Sequence, residues 1–383
     1  MRFAVAAALA LGAWSAAFAA SLLLSGAGGM VPYLLGVAVF VLSAWRVPAA
    51  AGVHDLAPRW LWGLFALAAL LVAAAFVEHC RRYPEGGWDA WMIWDLRARF
   101  LVRAPDFRDG FSPQMLPWAH QDYPWLLPGA VTQLWRATGR ESPLARELLA
   151  ALFAALLVAV VTASLARRFG MCWGLLGGLA LLAMPCFVTL VADQQADVPL
   201  ALFLCVSLVL LEDAPLLAGF SAGLAIWTKN EGALYAACIA AGLLVFARAK
   251  LLPFLLGALP GLALFAAFKM TLAPPNDLVA GGPVLEPARA IGLPLLLLRR
   301  LVFFQSFGLW LVAAIALVRR PQTAQGLALL LACAGLAAIY AFEPHPLDWI
   351  FHTSIDRLVI QLWPAAILLA APGLARAQTR ART

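Results

Sequence analysis

The sequence predicts an all-α fold, a polytopic membrane helix bundle with a large first outer loop that carries short juxtamembrane helices. Composition is the first reason: 64% of the 383 residues are hydrophobic and 12% are charged, whereas soluble domains carry roughly a quarter charged residues. The second reason is that the apolar residues form continuous Leu, Ala and Val runs, unlike the alternating strands of a membrane barrel. Soluble and intrinsically disordered folds are excluded, because neither accommodates so much apolar sequence.

About twelve transmembrane helices are predicted from the apolar runs. A hydrocarbon core of about 30 Å requires roughly 20 apolar residues per helix, and a bundle tolerates shorter ones. The predicted ranges are 3–24, 30–46, 60–78, 144–166, 171–191, 198–212, 215–228, 231–247, 251–271, 302–318, 324–342 and 358–373. The first range has an alternative interpretation as a cleaved signal peptide, because Arg2 precedes an apolar run with Ala17-Phe18-Ala19. Against cleavage, that apolar run continues to Leu24.

The whole chain, 1–383, is predicted to form a single integral membrane domain with three parts. These are an N-terminal two-helix addition at 1–59, a core at 60–271 and C-terminal helices at 272–383. The core contains the first outer loop at 79–143, and two further outer loops are predicted at 272–301 and 343–357.

The distribution of basic residues predicts which side of the membrane each loop faces. Short cytoplasmic loops carry an excess of Lys and Arg, and six of the seven segments assigned to the inner side, chain ends included, are basic. The seventh segment contains Glu212-Asp213 and is the exception. Both termini are therefore predicted to be cytoplasmic, and the three larger loops, with nearly every acidic residue, lie outside.

Charge and cysteine usage limit the classes of partner. The net charge of +7 is spread over single residues and pairs, without the basic cluster typical of a nucleic-acid-binding face. Membrane lipids are predicted partners of this protein, and nucleic acid is not. Of the six cysteines, five lie in apolar segments and Cys80 lies at a helix end, so no disulfide is predicted.

Acidic candidates open the first outer loop. Gly86 and Gly87 break the chain after the third span, and the tryptophan-rich segment that follows is typical of a short helix at the membrane interface. Asp89 stands at the start of this helix, either as an N-cap or as a functional carboxylate. Asp95 is a second candidate, although its i,i+4 spacing favours an ion pair with Arg99.

Two further groups of polar candidates follow. His120 and Asp122 precede two prolines whose spacing shapes a turn and the start of a helix, and a lone histidine there is also common as an ordinary surface residue. Asp193 and Asp197 stand at i,i+4 spacing after the fifth span, where like charges repel. Either the helix breaks between them, or a cation or donor lies nearby, or Asp197 caps the sixth span.

Two cations lie beside apolar spans on the outer side. Lys229 occupies a tight turn between spans, where ionisable residues are costly and usually functional. It is a candidate phosphate ligand, although a lysine can also extend harmlessly to the interface. Arg357, at the mouth of the last span, suits an anionic lipid head group, and an ion pair with Asp348 or Asp356 is the alternative.

The catalytic motifs of soluble enzymes are absent from the sequence. There is no P-loop, no GxGxxG after a strand, no HExxH and no GxSxG. His345 and His352 are conceivable metal ligands, but their spacing fits no standard site. No cofactor is predicted, and a divalent metal has no support. The remaining acids and cations suit a lipid-phosphate substrate, whose phosphate the cations bind and whose tail the bundle accommodates.

This layout resembles the GT-C glycosyltransferases that use polyprenyl-phosphate sugars. It is most similar to the family 39-like branch, which contains protein mannosyltransferases and lipid A aminoarabinose transferases, over about 61–262 and 343–373. In that branch an outer loop begins with an acidic motif that holds the catalytic aspartate, matched here by Asp89. A second acid often follows it, and here that position is Ala90.

Three shorter motifs also resemble the branch. The segment from His120 to Pro124, which contains Asp122, stands where the branch has a histidine or lysine before prolines. Asp197, after an alanine, matches a Leu-Asp motif at an outer helix junction. Lys229, after a threonine, matches a Thr-Lys-Gly turn, although Gly232 comes later in this chain.

The resemblance implies an inverting glycosyltransferase in a bacterial inner membrane, acting at the periplasmic face. The donor would be a polyprenyl-phosphate-linked sugar, and the acceptor a lipid, a glycan or a protein. Asp89 would be the general base, and Lys229 and Arg357 would hold the phosphate. Further substrate contacts would come from Asp95, His120, Asp122 and Asp197. The alternatives are a transporter or flippase of lipid-linked sugars, a class that commonly shows internal repeats, and a non-catalytic scaffold.

Overall fold

The computed structural model describes residues 1–26, 28–47, 56–115, 117–276, 323–342 and 345–380, together with 289, 292, 293 and 296. Within these residues every regular element is helical, which confirms the predicted all-α class for this part of the chain. The α-helices are α1 (Arg2–Ser25), α2 (Val31–Arg46), α3 (Arg59–Arg82), α4 (Leu96–Arg103), α5 (Leu126–Thr138), α6 (Pro143–Phe169), α7 (Met171–Leu182), α8 (Pro185–Ala192), α9 (Asp197–Leu210), α10 (Pro215–Thr228), α11 (Glu231–Phe246), α12 (Arg248–Thr271), α13 (Ala324–Phe342) and α14 (Leu347–Arg380).

Several of these helices are long and apolar enough to cross a membrane. Among the described residues six meet that condition, namely α1, α3, α6, α12, α13 and α14 up to Ala371. The number becomes seven if α7 and α8 form one bent span, and α2, α9, α10 and α11 are shorter apolar helices. The protein is therefore multi-pass, while the figure of twelve spans stays a prediction. The predicted span 302–318 lies outside the described residues.

The predicted fifth span is broken in the middle. It was expected to run over 171–191, but α7 and α8 meet at an angle of 65°. Pro185 is the first residue of α8, and proline lacks the N–H that would continue the hydrogen-bond pattern of α7. The break points α8 toward the outer loop.

The last helix begins much earlier than the sequence indicated. We expected the span to start at 358 after an outer loop at 343–357, but α14 begins at Leu347. Phe351 and Ile355 are buried one turn apart, whereas His352 and Thr353 are exposed. The first turns of α14 are thus amphipathic, so their mean hydropathy is low although they are helical. Arg357 consequently lies about three turns inside the helix.

Small residues bring α10 and α12 into close contact. Gly219 and Gly223 in α10 face Gly257 and Gly261 in α12, and each pair follows the GxxxG spacing. A Cβ on Gly261 would lie 2.2 Å from the carbonyl oxygen of Gly223. Such small-residue faces allow backbones to approach where lipid provides no hydrophobic drive between helices.

Aromatic side chains hold the first outer loop against the bundle. Trp125, at the start of α5, is fully buried. Its ring lies 5.6 Å from that of Trp227 in α10 and 6.2 Å from that of Phe268 in α12. Phe111 of the loop contacts the same two rings, those of Trp125 and Phe268. The 79–143 loop is therefore anchored on the ends of α10 and α12.

Candidate functional site

A continuous chain of ion pairs joins the loop to three helices. Arg357 Nη1 lies 2.7 Å from Asp89 Oδ2, and Arg357 Nε donates to Asp197 Oδ2 over 3.2 Å. Lys229 Nζ lies 2.9 Å from Asp197 Oδ1 and 3.0 Å from Glu231 Oε1. We call these five residues, Asp89, Asp197, Lys229, Glu231 and Arg357, the ion-pair chain. Four of them are residues that the sequence singled out.

The position of Asp89 is fixed by the glycine turn before it. Gly86 has a φ of 74°, a left-handed conformation that glycine adopts without strain. The Gly87 N–H donates to the carbonyl of Asp193 over 3.1 Å, which ties this turn to the α8–α9 connection. Asp89 itself makes no side-chain capping hydrogen bond. The N-cap interpretation is therefore wrong for this carboxylate, which binds Arg357 instead.

Asp197 and Lys229 are enclosed in the protein. Their exposed fractions are 0% and 1%. The Asp197 carboxylate also accepts a hydrogen bond of 2.5 Å from Gln361 Nε2, and the Tyr235 hydroxyl donates to Gln361 Oε1. Because both neighbours of the Lys229 ammonium are carboxylates, this geometry does not support the expected role as a phosphate ligand. Lys229 instead bridges the carboxylates of Asp197 and Glu231.

Two of the three alternatives for Asp193 and Asp197 hold, and the third, Asp197 as the cap of the sixth span, does not, because Ala196 is the N-cap of α9. The helix breaks between them, since α8 ends at Ala192 and Gln194 adopts a φ of 58°. A basic side chain also lies beside each carboxylate, since Lys229 binds Asp197 and His79 Nε2 lies 2.8 Å from Asp193 Oδ1. Burial raises the pKa of the Asp193 carboxyl, and the contact with His79 partly opposes that change.

A cavity of about 390 Å³ opens beside the ion-pair chain, between the outer loop, α11, α13 and α14. Its polar wall contains His120, Asp122, Glu231 and Arg357. Its apolar wall includes Leu234, Leu336, Ile339, Ile350 and Leu358. Asp89 and Lys229 do not line it. The cavity is thus amphipathic, and Arg357 is the member of the ion-pair chain through which it communicates with Asp89.

Hydrogen bonds from Asn230 and Lys269 hold the segment that carries His120 and Asp122. The Asp122 carboxylate accepts a hydrogen bond of 2.7 Å from Asn230 Nδ2, and Lys269 Nζ donates to the Asp122 carbonyl over 2.5 Å. His120 has a φ of 44°, and its ring stacks on Tyr123 with centroids 5.1 Å apart. Lys269 was missed in the sequence, where it is an isolated cation at the outer end of an apolar run.

Arg97 organises the same segment from inside the loop. Its guanidinium is buried and donates to the backbone carbonyls of Ala119, His120 and Tyr123. Burial lowers the pKa of Arg97 to about 10, so it stays charged near neutral pH. Burial also raises the pKa of the Tyr123 phenol well above its ordinary value. Nothing in the local sequence distinguishes Arg97 from the neighbouring exposed arginines.

Asp95 does not belong to this cluster. Its predicted partner was Arg99, but its carboxylate binds Arg146 in a buried ion pair. Arg99 binds Glu85 at 3.0 Å and approaches Glu141 at 3.8 Å. The i,i+4 expectation fails because both side chains have other partners in the fold, Arg146 for Asp95 and Glu85 for Arg99. Asp95 fixes the loop to α6.

Metal ligation and similarity to known proteins add little to this geometry. Among the residues that the structure describes, no group of three or more His, Cys, Asp or Glu side chains is placed to hold a metal ion. Comparisons with protein-family models, with curated proteins and with solved structures find no match for this chain.

Proposed function

We propose that this protein is a membrane glycosyltransferase that moves a sugar from a polyprenyl-phosphate donor to an acceptor with inversion. The observation that carries the proposal is Arg357, which lines an amphipathic cavity while its guanidinium binds the carboxylate of Asp89. One cation thereby connects a space suited to a lipid phosphate with a carboxylate suited to act as a base.

The two walls of the cavity fit the two parts of such a donor. The apolar wall, on α11, α13 and α14, suits the first isoprenoid units of the lipid. The polar wall offers Arg357 to the phosphate, because no hydrogen bond to a described residue occupies its Nη2. Charge-assisted bonds from a planar guanidinium to phosphate oxygens are among the stronger polar contacts in proteins. Asn230 and His120 lie where a sugar could be held.

The reaction needs one proton acceptor and one stabiliser of the leaving group. The acceptor oxygen would attack the anomeric carbon and release its proton to Asp89 Oδ1, the oxygen that Arg357 does not engage. The bond from that carbon to the phosphate oxygen would break, and the leaving lipid phosphate would keep the electron pair. Arg357 would stabilise the resulting negative charge. Asp197 and Lys229 act as positioning residues, since they hold Arg357 without lining the cavity.

The proposal also covers the acceptor, the membrane that holds the protein and the face of that membrane at which the reaction occurs. The acceptor is a lipid, a glycan or a protein, and the reaction takes place at the periplasmic face of a bacterial inner membrane. Both chain ends are then cytoplasmic. The basic short loops of the sequence support this orientation.

Mass spectrometry of membrane lipids and surface glycans, with and without the gene, tests the activity. We expect one sugar modification to disappear and its polyprenyl-phosphate donor to accumulate in the strain that lacks the gene. A transporter would instead change the side of the membrane on which the lipid-linked sugar is found, with the sugar–phosphate bond intact. Unchanged lipids and glycans would rule out both activities.

Asp89→Asn tests the base directly. Asparagine keeps the shape of the side chain but cannot accept the acceptor's proton, so transfer should fall about 10²–10⁴-fold. The matched control is Asp106→Asn, an exposed carboxylate of the same loop whose ion-pair partner among the described residues is Arg108. Transfer is measured in membranes with equal amounts of each variant. Near-normal activity of Asp89→Asn would remove the base from this mechanism.

A further inference from the structure

A second cavity lies at the end of the molecule opposite the 79–143 loop. It has a volume of about 180 Å³ and lies between the last turn of α6, the end of α9, the start of α13 and the middle of α14. Its polar lining consists of Ser164, Arg168, Glu212, Thr323 and Gln325. This is the region of Glu212-Asp213, the acidic exception to the basic inner loops, which the proposed function leaves without a role.

The acidic residues at this end are already neutralised. Lys250 Nζ lies 2.5 Å from Glu212 Oε2, and Arg167 Nη2 lies 3.2 Å from Asp213 Oδ2. Glu212 also accepts 2.8 Å from Gln325 Nε2. The exposed Arg168 has no ion-pair partner among the described residues. Glu212 and Asp213 therefore pair with Lys250 and Arg167, and the charge of Arg168 faces the cavity.

One further group in the cavity is a buried donor without an acceptor, and a helix N-terminus lies beside it. The Ser164 side chain is 2% exposed, and its Oγ has no hydrogen-bond partner among the described residues. The 19-residue helix α13 begins at the cavity wall, where Thr323 Oγ1 accepts a hydrogen bond from the Gly326 N–H. The first backbone N–H groups of a helix are unsatisfied within it and attract anions. A cation, a buried hydroxyl and a helix N-terminus converge on one space.

The remaining lining is apolar and belongs to helices that meet the membrane-span criterion or pack within the bundle. It consists of Leu165, Leu208, Val209, Leu368 and Leu369. An anion that binds here therefore has hydrocarbon beside it. We propose that this cavity binds the phosphate of an anionic membrane lipid, with Arg168, Ser164 and the start of α13 as its ligands. The site is separate from the proposed transferase cavity and does not depend on that function.

Lipid titrations of the purified full-length protein in neutral detergent test this site. Phosphatidylglycerol binding is measured by native mass spectrometry and thermal stabilisation, with phosphatidylcholine and inorganic phosphate as the comparison ligands. We expect phosphatidylglycerol to bind more tightly than phosphatidylcholine, and Arg168→Gln to weaken it about fivefold, the effect of one basic residue near a lipid phosphate. Ser164→Ala should weaken it by a smaller factor. The matched control is Arg248→Gln, an exposed arginine at the same end whose Nε donates to the Leu244 carbonyl.

The outcomes separate the sources of the phosphate. Preference for phosphatidylglycerol that is lost in Arg168→Gln and retained in Arg248→Gln supports the lipid site. Equal stabilisation by inorganic phosphate, with the same dependence on Arg168, supports the anion site but assigns its ligand to solution. Equal binding of the two lipids, or equal losses in the two arginine variants, would overturn the proposal, because general surface charge would then explain the binding.

Discussion

At the scale of single residues, the buried pair of Lys229 and Asp197 is the strongest constraint on the site. Neither side chain is exposed beyond 1%, and each has compensating partners at hydrogen-bond distance. A charge held in such surroundings is tolerated only while its partners remain, because desolvation of an unpaired ion costs several kcal/mol. The pair fixes Arg357 through Asp197 and therefore controls the orientation of the guanidinium toward the cavity.

The loss of one member of this pair should destabilise the protein. We expect Lys229→Met to lower the free energy of unfolding by about 3–5 kcal/mol, because Asp197 and Glu231 lose the buried cation that they share, while Arg357 and Gln361 remain beside Asp197. The double variant Asp197→Asn with Lys229→Met should recover part of that loss. Denaturation in one detergent measures all variants. The control is Arg82→Met, which removes an exposed ion pair with Glu78 and should change stability by under about 1 kcal/mol. Equal effects of the two single variants would contradict this account.

At the scale of elements, the contact between α10 and α12 determines where the ion-pair chain can form. The two helices approach through Gly219, Gly223, Gly257 and Gly261, so that their backbones touch. Lys229 follows the last residue of α10, and Lys269 lies near the end of α12. The close contact of the two helices thereby places both lysines next to the outer loop, where Lys229 binds Asp197 and Lys269 binds Asp122.

A side chain inserted at this contact should separate the two helices. We expect Gly261→Val to destabilise the protein by about 1–3 kcal/mol or more, because its Cβ would meet Gly223 backbone atoms within 2.6 Å. Gly63→Val is the control, since a Cβ on Gly63 in α3 has no atom within 4 Å. Both variants make the same chemical change in an apolar helix, so thermal unfolding isolates the packing effect. Similar unfolding temperatures would show that this contact is not tight.

At the scale of the whole molecule, the length of α12 gives the distance between the two ends of the bundle. It has 24 residues, and at 1.5 Å per residue it extends about 36 Å, close to the thickness of a hydrocarbon core. Lys269 at one end binds Asp122 of the outer loop. Arg248, the first residue of α12, therefore lies on the opposite face together with the second cavity.

Cysteine labelling of intact cells tests which face is outside. We expect Asp106→Cys to react with a membrane-impermeant reagent, and Arg248→Cys to react only after permeabilisation, because basic short loops stay in the cytoplasm. The unsubstituted protein gives the background from its six native cysteines. Labelling of Arg248→Cys from outside would invert the topology, and both proposed sites would change sides with it.

The sequence by itself determined the class of the protein and most of its helices. Hydropathy is a local property that each segment carries into the membrane, so α3, α6 and α13 lie close to their predicted ranges. The exceptions have local causes. Pro185 divides the fifth span, and the amphipathic start of α14 has too low a hydropathy to be recognised. The sequence analysis identified Asp89, Asp197, Lys229 and Arg357, because a charged residue beside an apolar run is energetically costly and usually functional.

Only the tertiary structure decided which charges meet and which face a ligand. Arg357 and Asp197 are separated by 160 residues, so the sequence gives no distance between them. The close contact of α10 and α12 places Lys229 beside Asp197, and the packing of the loop against α6 pairs Asp95 with Arg146. An ion pair depends on the packing of whole helices, whereas hydropathy depends only on the residues of one segment. Helix positions were therefore predictable from the sequence, and the partners of each charged side chain were not.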